Sequence, residues 1–228
     1  MKKLFLLAAL AVCSCNVFAQ VSLVLKAGGT FARAAIEKAN PLTPETTPVL
    51  GFTGGLGVNF GLTKDNFLSI QPEIGYVQKG FLAKGKEVAV FDIGYRFNYL
   101  EVPLLLKVNF GGEKMKFYVN AGPSIGYLLN GRTTGRTNSK SILTSVEDYD
   151  VPIKFIDRPG GYDVRGLYAN RIEAGLNLGG GVGYAFAGST VLFVDVRYNM
   201  GLTDFNKQEQ SKNRVFALTT GVQIPLRK

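Results

Sequence analysis

One pattern constrains this chain more than any other: long runs in which successive residues alternate in character with period two. From Asn98 to Phe110, one face collects Asn98, Leu100, Val102, Leu104, Leu106, Val108 and Phe110. The other collects Tyr99, Glu101, Pro103, Leu105, Lys107 and Asn109. A β-strand sends consecutive side chains to opposite faces, so this is a strand with one apolar side. Thr190 to Gly201 repeats it, with Leu192, Val194, Val196, Tyr198 and Met200 against Phe193, Asp195, Arg197 and Asn199. Phe67–Lys79, Phe117–Tyr127 and Phe216–Leu226 follow the same rule, and weaker alternation marks 21–32, 49–60 and 170–186. The count is eight strands of about 10 to 15 residues, long enough to cross a bilayer at a tilt.

The connections separate a membrane barrel from a soluble sandwich. In chain order they run long, short, long, short, long, short, long. The long ones are 33–48, 80–96, 129–169 and 203–212; the short ones are 61–66, 111–114 and 187–189. Outer-membrane barrels have short periplasmic turns and longer external loops, and eight strands return the C-terminus to the side of the N-terminus. The polar faces carry Gly, Ser, Asn and Thr with isolated charges, which suits a tight interior better than a solvated surface. The expected fold is therefore all-β: an eight-stranded antiparallel transmembrane β-barrel with short periplasmic turns and long external loops.

The first residues read as a signal peptide. Lys2 and Lys3 precede the apolar run Leu4 to Val12, and Val17-Phe18-Ala19 places cleavage before Gln20. The run is too short to span a bilayer as a helix. Leu10-Ala11-Val12-Cys13 faintly resembles a lipoprotein box, but Val12 is bulkier than the residue usual there. The expected organisation is 1–19 signal peptide and 20–228 barrel domain. Cleavage removes Cys13 and Cys15, leaving no disulfide or thiolate chemistry. It also lowers the net charge from +9 to +7 by removing Lys2 and Lys3. The remaining charges are scattered, so no nucleic-acid partner is expected.

The chain has no His, which excludes Ser-His-Asp chemistry and most transition-metal sites. Neither a catalytic residue nor a cofactor or metal site is expected. Gly28-Gly29 and Gly179-Gly180-Gly181 lack the strand–loop–helix context of a phosphate loop. Glu73, Glu101, Glu173 and Asp195 fall on predicted inner faces, as do Lys26, Lys107, Lys116 and Arg197. Charge in a confined interior needs a partner, so these eight form the predicted interior charge network. Glu101 and Lys107 stand about 20 Å apart on one strand and cannot meet. The expected partner of Glu101 is Arg197 first and Lys26 second. In the loop 129–169, Arg132, Arg136 and Lys140 are basic and Glu147, Asp148 and Asp150 acidic. Binding of lipopolysaccharide phosphate by the first group and of a cation by the second are the functional readings, and an ordinary solvated external loop is favoured over both. Tyr149 to Ile156 is apolar enough to pack on the barrel rim.

The segment Tyr99-Leu100-Glu101-Val102-Pro103-Leu104-Leu105-Leu106-Lys107 resembles a strand of the Bacteroidetes outer-membrane β-barrels called PorT-like. Ala121-Gly122-Pro123-Ser124, Gly175 to Val182 and the Phe18-Ala19-Gln20 ending are also similar to that family, so the likeness runs along the whole mature chain. The resemblance implies an outer-membrane protein. The expected role is non-enzymatic: structural, adhesive or envelope-assembly, with a side-chain-filled interior. A narrow porin or small-solute transporter, or an accessory to protein secretion, are the alternatives. The expected partners are outer-membrane lipids and lipopolysaccharide, the barrel-assembly machinery during insertion, and an envelope protein of unknown identity.

Overall fold

A computed structural model describes residues 20–36, 45–84, 91–137, 149–154, 169–186, 190–206 and 210–226. Among these there is no helix. The strands are β1 (Val21–Ile36), β2 (Glu45–Gly61), β3 (Leu68–Lys84), β4 (Phe91–Gly111), β5 (Met115–Thr137), β6 (Tyr149–Pro152), β7 (Ile172–Phe186), β8 (Thr190–Gly201) and β9 (Ser211–Pro225). Eight of them close a barrel in the order β1-β2-β3-β4-β5-β7-β8-β9, and β9 returns to β1 with Leu23 opposite Ile224. Every pairing is antiparallel. Closure leaves no sheet edge for lipid to face, which a membrane crossing requires. The short β6 stands outside the wall, paired with β5 from Arg132 to Gly135.

Local chemistry explains the tight turns. Between β2 and β3, the Phe67 amide donates to Asp65 and the Leu68 amide to the Thr63 hydroxyl. Hydrogen bonds from Thr63 and the Phe67 amide hold the Asp65 carboxyl below its ordinary range. Asn66 takes a φ of 56°, a conformation Asn tolerates better than most residues. Between β4 and β5, Gly111 sits at φ 115°, where a side chain would be strained. Within the wall, a Cβ on Gly28 would lie 2.0 Å from the Leu218 carbonyl oxygen of β9. The glycine there permits close approach of the first and last strands.

The inward and outward faces are sharply distinguished. Leu104 and Val194 are 46% and 44% exposed on the outside, while their neighbours Leu105 and Phe193 are 0% and 7% exposed inside. On β4 the outward apolar band runs from Leu100 to Phe110. Those ten steps span about 33 Å along the strand. At a tilt near 40° they rise about 25 Å, the height of an outer-membrane apolar band.

The strands run past the expected ends at the loop side. β3 continues to Lys84, β4 begins at Phe91 and β5 reaches Thr137, so the connection expected at 80–96 is largely strand and the one expected at 129–169 begins as strand through Thr137. The cause is an exchange of faces. Above the band the inward residues turn apolar (Phe81, Ala83, Tyr95, Phe97) and the outward ones polar (Lys84, Asp92, Arg96, Arg132). The extensions fold like a water-soluble barrel on top of a membrane one. Residues 1–19, expected to be a signal peptide, lie outside the described residues.

Candidate functional site in the barrel interior

The interior is built in layers. Nearest the turns, Lys107 of β4 reaches over the Tyr118 ring, 3.8 Å from its centroid. Its ammonium lies 3.5 Å from the side-chain oxygens of Gln71 and Gln223. Among the described residues no carboxylate lies within ion-pair distance of it.

In the same layer, one step further from the turns and linked through Gln71, stands Glu73 of β3. Lys26 donates to it at 2.6 Å and Gln71 at 2.7 Å. Arg197 of β8 grips both of its oxygens, at 2.8 and 3.3 Å. A bidentate guanidinium–carboxylate pair fixes orientation as well as distance. Arg197 also lies 3.3 Å from Asp195, which accepts from Tyr118 at 3.0 Å and Asn120 at 3.2 Å.

A second charged layer centres on Lys79 of β3, whose side chain is 1% exposed. It lies 2.7 Å from Glu173 of β7 and 3.1 Å from Glu101 of β4. Asn199 donates to Glu101 at 2.7 Å, and Asn213 donates to Glu173. Above it, Phe81, Phe97 and Phe205 meet with ring centroids 5.2 to 6.2 Å apart. Ile153, next to β6, and Leu128 pack into the same cluster.

Open space is distributed unevenly. Between the charged layers lies a void of about 50 Å³ lined by Lys26, Glu73, Glu101, Asp195 and Arg197. At the turn end the barrel opens into a vestibule of about 1000 Å³, with Lys107 and Tyr118 on its lining and Asp65 and Lys116 among the residues around it.

Seven of the eight charges placed inside by the alternation are brought into these layers: Lys26, Glu73, Glu101, Lys107, Glu173, Asp195 and Arg197. Lys116 requires correction. It has the inward phase but lies in the second residue of β5, where the barrel has already opened, and it is exposed. The partner of Glu101 also requires correction. Arg197 is occupied by Glu73 and Lys26 by the same carboxylate, and Lys79 takes Glu101 instead. Lys79 carried a usable signal, since it continues the inward phase of Ser69, Gln71 and Glu73. In the loop 129–169, Arg132 and Asp150 pair with each other at 2.7 Å across β5 and β6. Asp150 is thereby engaged by a cation of the chain itself; Lys140, Glu147 and Asp148 lie outside the described residues. Ile153 packs inside the rim as its segment suggested.

Residues 18–207 match the family model described as an outer membrane protein beta-barrel domain. The chain belongs to this family. As an outer membrane beta-barrel protein it resides in the outer membrane, and its apolar outer band faces lipid. A search of curated proteins finds no match. Among solved structures, Neisserial surface protein A matches over 90% of this chain and 97% of its own, at 15% identity and a TM-score of 0.45. OprG of Pseudomonas aeruginosa matches over 91% and 97%, at 11% identity and 0.49. Ail, the attachment invasion locus protein of Yersinia pestis, matches over 90% and 99%, at 13% identity and 0.41. Each is a likeness of fold, at an identity too low to carry function.

Proposed function

We propose that this outer membrane beta-barrel protein is a closed, non-enzymatic barrel with a structural, adhesive or envelope-assembly role exercised at its ends rather than through its lumen. One observation carries the reading: two charged layers and an aromatic cluster stand in series, and the void between the charged layers is only about 50 Å³. A void of that size holds a few waters and is no solute path. The carboxylates that could serve acid–base chemistry are each engaged. Glu73, Glu101 and Glu173 hold cations, and Asp195 accepts from Tyr118 and Asn120. Planar-bilayer recording on the purified protein is the test. The expected result is no steady channel. Steady channels of large conductance would overturn the closed-barrel reading and favour the narrow porin or small-solute transporter.

The PorT-like resemblance of Tyr99 to Lys107 supports a second reading, an accessory role in protein export across the envelope, with an envelope protein as partner. Deleting the gene and comparing the exported proteome tests it; an unchanged proteome removes it. In either reading the chain is exported with cleavage before Gln20, inserted by the barrel-assembly machinery and surrounded by outer-membrane lipids and lipopolysaccharide. N-terminal sequencing of the outer-membrane fraction should begin at Gln20; a chain beginning at Met1, or lipidated at Cys13, defeats that assignment.

A further inference from the structure

The pairing register places like charges opposite one another on the outer wall. Arg33 of β1 faces Arg214 of β9, and the next outward pair sets Lys212 against Ala35. On the far side of the barrel, Arg96 of β4 faces Arg132 of β5. Directly opposed like charges destabilise an antiparallel pair unless something compensates them. Arg132 has Asp150. Arg214 donates to the backbone carbonyls of Gly201 and Asn213, which anchors it without cancelling its charge. Among the described residues Arg33 and Lys212 have neither hydrogen bond nor ion pair through their side chains. Three cations thus share one patch of wall, and among the described residues no carboxylate lies within ion-pair distance of them.

The height of that patch is set by the sequence around it. On the outward face of β9, Leu226, Ile224, Val222, Leu218 and Phe216 are apolar with Thr220 among them, and Arg214 is the next outward residue. On β1 Phe31 is the last apolar outward residue before Arg33, and it faces Phe216. The cations therefore begin where the hydrocarbon ends, at the loop side, which is the external side of the barrel. At that level a guanidinium meets headgroups, and phosphate is the anion whose geometry it matches.

We propose that Arg33, Lys212 and Arg214 form a binding site for the phosphate of an outer-leaflet lipid headgroup, with Arg214 as the fixed member. The site rests on the outer-membrane placement and is independent of whether the lumen conducts. Membrane fractionation checks that placement separately from the site.

The test is native mass spectrometry of the full mature barrel released from detergent with diphosphoryl lipid A, and with the same lipid stripped of both phosphates. The wild type should retain the diphosphoryl form at lower lipid concentration than the stripped form. Arg33→Gln should raise the concentration needed about fivefold, and Arg33→Gln with Lys212→Gln further, the change expected per cation near an anionic surface. The stripped lipid should bind wild type and variants alike. Neither substituted residue holds the fold, and the folded band on an unheated gel confirms this for each variant. Free inorganic phosphate at equal concentration should leave lipid retention unchanged. The proposal is overturned if the double variant retains diphosphoryl lipid as well as wild type does. It is also overturned if Lys114→Gln, at the opposite end of the barrel, weakens retention equally, or if inorganic phosphate displaces the lipid.

Discussion

Glu73 serves two cations from two different strands, and the consequence is an asymmetry among the interior carboxylates. Glu73→Gln leaves Lys26, Lys107 and Arg197 with Asp195 as the remaining carboxylate of their layer. Breaking a buried pair by removing one partner costs about 3–5 kcal/mol. That loss should appear in urea unfolding of the detergent-solubilised protein. Glu101→Gln differs in kind. Lys79 still holds Glu173 at 2.7 Å, and a layer with one cation and two carboxylates becomes neutral. The cost there should be about 1 kcal/mol, the scale of a hydrogen bond weakened with Asn199. Lys79→Met sets two carboxylates facing each other and should exceed both. If Glu101→Gln destabilises as strongly as Glu73→Gln, Lys79 is not the hub of its layer.

At the scale of the strand, the wall residues give the clearest contrast. Leu104→Arg or Val194→Arg places a charge in the lipid-facing band and should cost about 2–4 kcal/mol near its midplane. Leu105→Ala, one residue away, leaves a cavity in a packed interior and should cost about 2–5 kcal/mol by a different route. Spin labels separate the two: positions 104 and 194 should report lipid, and water at either would refute the register. The strand centres were legible because lipid on one side and a narrow lumen on the other impose one chemistry per face. The strand ends were less so. Past Asn98 and Lys79 the period of two persists, but the apolar side turns inward, and a reading that follows apolar residues stops at the exchange. Lys79 sits at that turning point. The expected network leaves it out for that reason, although the phase set by Glu73 points it into the lumen. Lys116 erred the other way. Phase tells which face a residue occupies, but not whether the barrel at that height is still filled.

At the scale of the whole molecule, the interior charges among the described residues sum to zero, and their order along the axis matters more than the sum. Lys26, Lys79, Lys107 and Arg197 balance Glu73, Glu101, Glu173 and Asp195, but the layer near the turns holds three cations to two carboxylates and the Lys79 layer one to two. The surplus cation of the inner layer is Lys107, which faces the open vestibule, and the surplus anion lies beneath the aromatic cluster. In the closed-barrel reading proposed above, each layer blocks the lumen by itself, because an ion entering from the vestibule must break the Glu73–Arg197 fork before it meets the Lys79 triad. Blocks in series predict a specific pattern of failure. Phe97→Ala with Phe205→Ala opens only the outermost layer and should leave the bilayer current at baseline. Lys79→Ala with Glu101→Ala opens only the middle one and should also leave it there. A variant combining the four changes removes two adjoining barriers and leaves the Glu73–Arg197 fork alone between vestibule and exterior. It should show brief openings, because one ion-pair layer fluctuates more freely once the packing above it is gone. Steady current from the aromatic pair of changes alone would mean that the charged layers already pass ions and that the phenylalanines are the whole gate.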